Sequence, residues 1–295
     1  MTAPTVRSVE TVVDARKGME GAGLPIRRTL GAVIEMDPFL MLDHFGPVTW
    51  GPGQASGVPD HPHRGFETVT YILDGRMEHR DSMGGGAVLN PGDVQWMTAG
   101  SGIVHSEMPE KAFLKQGGTL HGFQLWVNLP ARLKMTEPRY QDLTAEQTPV
   151  AEADGVLARV VAGSALGVRG AVATHTDITY IHYTLQPGAS TRLDIPAGHH
   201  AGAYVFGGRV KLGAQGVLTG EAQFARFGDG DRVDLTVPED QSTPAQVLLL
   251  AGRPIGEPIA RYGPFVMNTY DEIRQAIRDY DAGRMGRIAP AVGAG

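Results

Sequence analysis

Asp60-His61-Pro62-His63-Arg64-Gly65-Phe66-Glu67 and Gly102-Ile103-Val104-His105-Ser106-Glu107-Met108-Pro109 are the two segments from which the fold and the site of this chain are predicted. Each segment carries two side chains that can ligate a metal, with one residue between them. Alternate side chains of a β-strand point to the same face. His61 and His63 can therefore point into one cavity, and so can His105 and Glu107.

Turn signals separate the two segments. Asp74-Gly75, Gly84-Gly85-Gly86 and Asn90-Pro91-Gly92-Asp93 all favour tight turns. They predict an antiparallel sheet that folds back on itself and brings the two pairs onto neighbouring strands. Three imidazoles and one carboxylate in that arrangement predict a site for one metal ion.

The composition favours a globular β protein. The chain has 295 residues, 42% of them hydrophobic, with 40 Gly and 20 Pro. Such a chain can build a core, and many Gly and Pro suit short strands joined by turns. The net charge of −6 gives no basic surface for direct contact with nucleic acid. The absence of Cys excludes disulfides, zinc–thiolate sites and a thiol nucleophile.

No targeting or membrane segment is predicted. The first residues, 1–7, lack a basic segment followed by an apolar run, so no signal peptide is expected. No uncharged apolar run approaches the roughly 18 residues of a membrane span. We therefore expect a cytoplasmic protein that does not bind a membrane.

Short β-like runs recur through both halves of the chain and predict barrels or sandwiches. The predicted strands are 5–14, 30–36, 67–73, 76–80, 88–89, 94–98 and 121–129, then 157–162, 180–185, 203–206, 209–212, 222–227, 232–237 and 246–251. The apolar segment 37–47 is expected to close one end of a barrel. Two similar β units in tandem suggest an old duplication.

The C-terminal part differs from the rest. Thr269 and Glu272 have the spacing of a capping box. Ile273, Ala276, Ile277 and Tyr280 then recur at helical spacing, which predicts an amphipathic helix over 270–282. The predicted domains are 1–135, a linker 136–156, and 157–295 including this helix.

Glu67 competes with Glu107 for the role of carboxylate ligand. It lies four residues after His63 and shares the strand parity of His61 and His63. Parity alone does not decide between the two carboxylates. If Glu107 is the ligand, Glu67 would orient an imidazole or form part of a buried pair. Imidazole and carboxylate ligands suit Fe(II), Mn(II), Ni(II), Cu(II) or Zn(II).

Several segments resemble the pirin family of the cupin superfamily. They cover nearly the whole chain and are densest from 37 to 130; they are 37–40, 61–69, 90–100, 102–109, 121–128, 252–258 and 262–268. The resemblance implies a bicupin, that is, two tandem cupin-type β-barrels with metal in the N-terminal one. It implies His61, His63, His105 and Glu107 as ligands, usually of iron, and leaves Glu67 outside the ligand set. No site role is predicted for His44, His79, His121, His175, His182, His199 and His200.

The resemblance also implies an activity. Pirin-like proteins of this kind are associated with quercetin 2,3-dioxygenase, which uses O2 to open a flavonol ring and releases carbon monoxide. Glu107, or else Glu67, would act as general base on the flavonol 3-hydroxyl. Gln124 could reach inward on its strand. Candidates for an apolar substrate mouth are Phe39, Phe45, Phe66, Met97, Met108 and Trp126.

Two other functions are compatible with the same site. Some pirins are metal-dependent regulatory proteins that bind a transcription factor or a metabolic enzyme without turnover. A metal-dependent isomerase, or another cupin enzyme acting on a small oxygenated molecule, would use the same ligands. The expected partners are thus a flavonol-like molecule with O2, or a protein.

Overall fold

A computed structural model describes residues 4–289 of the chain, and strands dominate it. In the first part of the chain the strands are β1 (Val9–Asp14), β2 (Arg16–Glu20), β3 (Leu24–Arg28), β4 (Phe39–Trp50), β5 (Val58–His63), β6 (Phe66–Asp74), β7 (Met77–Asp81), β8 (Gly86–Leu89), β9 (Val94–Thr98), β10 (Ile103–Pro109), β11 (Gly118–Asn128), β12 (Arg139–Leu143) and β13 (Val150–Ala153). In the rest they are β14 (Val156–Ala162), β15 (Ser164–Ala165), β16 (Val168–Arg169), β17 (Ile178–Leu185), β18 (Ser190–Asp194), β19 (His200–Gly207), β20 (Arg209–Leu212), β21 (Val217–Gly220), β22 (Gln223–Phe227), β23 (Arg232–Thr236), β24 (Ala245–Gly252), β25 (Ala260–Tyr262) and β26 (Phe265–Met267). The helices are α1 (Lys111–Gln116), α2 (Tyr270–Asp281) and one 3₁₀ turn, Ala131–Leu133. The predicted all-β class with a short C-terminal helix is confirmed.

The chain forms two compact units. The first barrel contains residues 17–26, 41–145 and 255–289, and the second contains 4–16, 27–40 and 146–254. The central boundary falls between Ala145 and Glu146, inside the predicted linker. The predicted domains were continuous in sequence, whereas here the N-terminal strand joins the second unit and the C-terminal helix joins the first.

The first barrel is built from two antiparallel sheets. The large sheet has the order β12-β9-β6-β11-β4-β3-β2, and the small sheet has the order β5-β10-β7-β8. Phe45, Ile72 and Leu120 of the large sheet share a buried cluster with Met77 and Leu89 of the small one. The small sheet carries the two segments that were predicted to form the metal site.

The second barrel repeats this architecture. Its large sheet has the order β1-β22-β19-β24-β17-β14-β13, and its small sheet has the order β18-β23-β20-β21. Both sheets contribute to one apolar core, in which Leu193, Val233 and Leu235 meet Ile181 and Leu249. The matching strand orders agree with the suggested duplication.

The prediction of a strand over 30–36 is wrong, because the backbone turns there. The Thr29 carbonyl accepts from the N–H groups of Val33, at 3.0 Å, and of its neighbours. Gly31 begins the turn with φ of 77°, a conformation that favours glycine. Most of the apolar segment 37–47 belongs to strand β4. Strands β12 and β13 lie inside the predicted linker.

Helix α2 begins as the sequence predicts and ends one residue earlier. The Thr269 side chain accepts from the Glu272 backbone, and the Glu272 side chain accepts from the backbone of Thr269, which completes the capping box. Ile273 and Ala276 are buried on its inner face. Within residues 4–289, no helix has the length and apolar character needed to cross a membrane.

Candidate metal centre

Strands β5 and β10 place the predicted ligands opposite one another. The two strands pair antiparallel, with His105 across from His61 and Ile103 across from His63. Side chains directly opposite on one face of such a pair lie close together. The predicted alternation therefore holds for the histidine pair, which lies at the end of β5.

Three imidazoles meet at this point. The ligand nitrogens of His61, His63 and His105 all lie within 4.8 Å of one another, and the Nε2 atoms of His61 and His63 are 3.0 Å apart. Nε2 of His105 is buried without a hydrogen-bond partner. A buried polar atom without a partner is costly, and a metal ion would satisfy it. The donor set fits a first-row divalent metal.

The other ring nitrogens keep the Nε2 atoms of the β5 pair free to ligate. Nδ1 of His61 lies 2.8 Å from the Pro59 carbonyl, and Nδ1 of His63 lies 3.4 Å from the Pro264 carbonyl. A carbonyl only accepts, so each Nδ1 carries the proton and each Nε2 presents a lone pair. Burial lowers the pKa of His63 and of His105 well below the ordinary value, with further lowering from the neighbouring imidazoles. Both rings are therefore held in the neutral form that ligates metals.

Contacts beside His63 fix its position. The Arg64 guanidinium donates to Asp279 of helix α2 at 2.6 Å and to the Ser101 carbonyl at 2.6 Å. Gly65 adopts φ of 88°, and a Cβ there would come within 2.0 Å of the Val266 carbonyl. The backbone therefore packs closely against the C-terminal segment just after the ligand.

Glu107 lies on β10, two residues after His105, and is outside the group of three. Its Oε1 accepts from the Thr70 hydroxyl at 2.8 Å, and the Gln124 amide lies 3.5 Å away. The pairing of β10 with β5 shifts register between His105 and Glu107. The extra residue lies on β5, whereas β10 pairs with β7 in unbroken register from His105 to Pro109, so the alternation predicted for the second pair is kept within β10. Gln124 does reach inward, to this carboxylate.

Glu67 is also outside the group. It lies on β6 opposite Thr98, is fully buried, and accepts from the Thr98 hydroxyl at 2.6 Å. Burial raises its pKa to about 6, and the hydrogen bond from Thr98 opposes that rise. Glu67 is thus hydrogen-bonded within the large sheet, to which Thr98 belongs.

The aromatic candidates divide into two sets. The rings of Phe66 and Trp126 lie 5.0 and 5.1 Å from the His63 ring, centroid to centroid, and form a wall beside it. Phe45 and Met97 belong to core clusters instead, Phe39 is buried, and Met108 is 38% exposed. The Arg261 guanidinium stacks 4.8 Å from the Trp126 ring centroid and adds a positive charge near His63.

His79 and Tyr140 were missed by the sequence analysis. Nδ1 of His79 lies 3.4 Å from Nδ1 of His105, and its Nε2 lies 3.0 Å from the Tyr140 hydroxyl. His79 is on β7, where it pairs with Glu107 of β10. The sequence shows on which face of its strand His79 lies, but it does not show that His79 pairs with Glu107. Arg261 was missed for a similar reason, since it lies far along the chain from His61, His63 and His105.

The remaining histidines do not join the group within residues 4–289. Nε2 of His44 lies 2.7 Å from Nε2 of His121, and the His44 ring stacks on Phe123. His199 is buried beside Asp177. His200 lies near the Asp37 carbonyl.

Comparisons with known proteins support this description. The family model "Pirin" matches residues 24–127, and the model "Pirin C-terminal cupin domain" matches residues 180–286. A "Pirin-like protein" of Solanum lycopersicum is 44% identical over 283 residues, which cover 95% of this chain and 93% of that protein. A Pseudomonas aeruginosa protein, whose name assigns it provisionally to the quercetin 2,3-dioxygenases, is 42% identical over 93% of this chain and 96% of its own length. The crystal structure of quercetin 2,3-dioxygenase from Acinetobacter baumannii superimposes with a TM-score of 0.90 at 35% identity, over 97% of this chain and 100% of that one. The predicted fold of two cupin barrels is thereby confirmed.

Proposed function

The chain belongs to the pirin family, and on that premise we propose that it is a metal-dependent dioxygenase that cleaves the ring of a flavonol. The group of three imidazoles, of which those of His63 and His105 are buried, carries this proposal, because it presents ligand nitrogens at one point and leaves Nε2 of His105 without a partner. The relatives named as quercetin 2,3-dioxygenases support the choice of reaction.

His61, His63 and His105 would hold the metal through their Nε2 atoms, and Glu107 would complete the ligand set. We propose Fe(II), although the same nitrogen and oxygen donors also suit Mn, Ni, Cu or Zn. When bound, the metal would act as a Lewis acid on the substrate oxygens and supply the electronic route to O2. Glu67 would serve as a supporting carboxylate on the large sheet.

Glu107 would also act on the substrate proton. Glu107 is 9% exposed, and its carboxylate is oriented by Thr70 and Gln124. A carboxylate held in this way can accept the proton of the flavonol 3-hydroxyl as general base and return it to the product. Overall, one flavonol and one O2 would give the ring-opened ester and one carbon monoxide, so that atoms balance without an added reductant.

The wall beside His63 suits a flat anionic ligand. Trp126 is 8% exposed and packs on the fully buried Phe66, with the ring centroids 4.3 Å apart. Arg261 lies over the Trp126 ring and would favour the flavonolate anion over the neutral flavonol through its charge.

The test is turnover by the metal-loaded protein. Fe(II)-reconstituted protein, quercetin and dissolved O2 are expected to lose the flavonol absorbance, consume O2 and release carbon monoxide in equal amounts. His105→Ala should abolish all three, whereas His200→Ala, which alters an exposed histidine of the second barrel, should leave them unchanged. Tight metal binding without turnover of any flavonol would refute the dioxygenase and favour a metal-dependent regulatory protein.

A further inference from the structure

We propose that His79 is a positioning residue for this metal centre: it accepts a hydrogen bond from Nδ1–H of His105 and so directs the His105 Nε2 lone pair into the site. The inference rests on the proposed use of His105 as a ligand. It deepens that proposal by adding a residue from a third strand, β7, which contributes none of the three grouped imidazoles.

The geometry places His79 directly behind His105. The two Nδ1 atoms are 3.4 Å apart, and the ring centroids are 5.2 Å apart. Both side chains are almost completely buried, at 2% and 1% exposure. Water therefore has little access to the contact, and the two rings must satisfy each other.

The partners of His79 determine which ring carries the proton between them. Two N–H groups cannot point at each other, so only one of the two Nδ1 atoms is protonated. At the other end of the His79 ring, Nε2 lies 3.6 Å from the Asp81 carboxylate and 3.0 Å from the Tyr140 hydroxyl. An ionised carboxylate only accepts, which favours the proton on Nε2 of His79.

The tautomer of His105 follows from that of His79. With its proton on Nε2, a neutral His79 has a bare Nδ1, which accepts from Nδ1–H of His105. The His105 ring then has no proton on Nε2, the atom that is buried without a hydrogen-bond partner. A lone pair is left at the atom that faces His61 and His63, as metal ligation requires.

The surroundings hold His79 in this state. The Tyr140 hydroxyl donates to the Met97 sulfur at 3.1 Å, which leaves its oxygen free to accept from Nε2–H of His79. Asp81 is itself held in place, because its Oδ1 accepts from the backbone N–H groups of Met83 at 2.7 Å and Gly85 at 3.0 Å. The contacts around His79 thus end at two backbone N–H groups and at the buried sulfur of Met97.

Two substitutions distinguish the effect of losing the hydrogen bond from the effect of losing the volume of the ring. In His79→Asn, the amide oxygen can take the place of Nδ1 and accept from His105, whereas His79→Leu fills space without an acceptor. Ni(II) affinity of the metal-free protein is the first readout. Outer-shell partners of metal ligands typically contribute 10–100-fold, so we expect a loss of about that size for Leu and a smaller loss for Asn.

The tautomer itself is the second readout, and it needs neither metal nor substrate. In ¹⁵N NMR of the metal-free protein, wild type and His79→Asn should show His105 protonated at Nδ1. His79→Leu should shift it toward the Nε2–H form. If His79→Leu does not fold, Tyr140→Phe tests the same relay, and a smaller but measurable shift of the His105 tautomer in the same direction is expected.

Wild-type affinity and an unchanged His105 tautomer in His79→Leu would overturn the inference. Neither readout involves a flavonol. A protein that binds metal in the predicted way but turns over no flavonol would refute the dioxygenase and leave the role of His79 intact.

Discussion

The two barrels have the same strand order and very different interiors. In the small sheets, β5-β10 of the first barrel occupies the place of β18-β23 in the second. The first pair buries His63 and His105. The second pair buries Leu193, Val233 and Leu235 in a continuous apolar core.

The contrast extends to buried carboxylates. Within residues 4–289, the buried acidic side chains all belong to the first barrel; they are Asp43, Glu67, Asp81, Asp93 and Glu107. Burying such groups costs free energy unless they are paired. The same framework can therefore be filled with apolar side chains for stability or with polar ones for chemistry. The barrel supplies positions, and the side chains at those positions decide whether a site exists.

The largest expected effect comes from making the first barrel resemble the second. His105→Leu removes one of the three grouped imidazoles and replaces it with the residue type found in the β18-β23 pair. Metal affinity should fall by more than about 100-fold, since even an outer-shell partner contributes 10–100-fold. Calorimetric titration with Ni(II) measures this.

The fold should survive that change. Leucine removes the unpartnered Nε2 of His105 but leaves the buried Nδ1 of His79 without its contact, so the free energy of unfolding of the metal-free protein should fall by no more than about 1–3 kcal/mol. His200→Leu in the second barrel is the matched control for losing a histidine. Retained metal affinity in His105→Leu would show that the three-imidazole group is not the metal site.

The second prediction perturbs the apolar barrel. Leu249 is completely buried in its core, and Leu249→Ala should lower the free energy of unfolding by about 2–5 kcal/mol, through lost burial and a cavity. Denaturant unfolding measures the loss. Leu249→Met, which nearly conserves volume, should cost less than about 1.5 kcal/mol.

Metal affinity distinguishes the barrels in the same experiment. Under native conditions, Leu249→Ala should bind Ni(II) as wild type does, because none of the grouped imidazoles belongs to the second barrel. A loss of affinity comparable to that of His105→Leu would mean that the apolar barrel contributes to the site.

The third prediction uses the buried carboxyl of Glu67. Its folded-state pKa is raised from 4.5 to about 6, chiefly by burial. The native protein then holds this proton more tightly than the unfolded chain does. The stability contributed is fully present below pH 4.5 and is lost as the pH rises through about 6. At 1.36 kcal/mol per pKa unit, the loss is about 2 kcal/mol.

Glu67→Gln isolates this contribution. Buried imidazoles of the first barrel have lowered pKa values and act in the opposite sense, so the informative quantity is the difference between variant and wild type. The stability of the metal-free variant relative to wild type should increase by about 2 kcal/mol between pH 4 and pH 7. The exposed Glu239→Gln shows the effect of losing a surface carboxyl. A difference independent of pH would contradict the raised pKa.

Local signals explain what could be predicted from the sequence. Alternation on a strand placed His61 and His63 together, and capping chemistry located helix α2, since both depend on residues a few positions apart. The prediction of a strand over 30–36 was wrong because it relied on the apolar residues of the segment. Gly31, at which the chain turns, was the more informative residue. The assignment of α2 to the second domain relied on chain order, which does not determine packing.

The rest depended on strand pairing, which one sequence does not reveal. His79 pairs with Glu107 across β7 and β10, and no pattern within either strand names its partner. The irregular register after His105 is likewise a property of two strands. The ligand role of Glu107 consequently stays a prediction, carried by the family resemblance rather than by the grouping of the imidazoles.

The smallest expected effect lies at the start of helix α2, an element that the first barrel has and the second lacks within the described residues. The Thr269 hydroxyl accepts from the Glu272 backbone at 3.3 Å. Thr269→Ala removes that cap and should cost about 1 kcal/mol, whereas Thr269→Ser keeps the hydroxyl and should cost much less. Amide hydrogen exchange resolves where the cost falls. Exchange should accelerate in α2 and leave the core strands of the second barrel, β17 and β24, unchanged. Equal acceleration in those strands would show that the two barrels open together, in which case their different interiors would not give them separate stabilities.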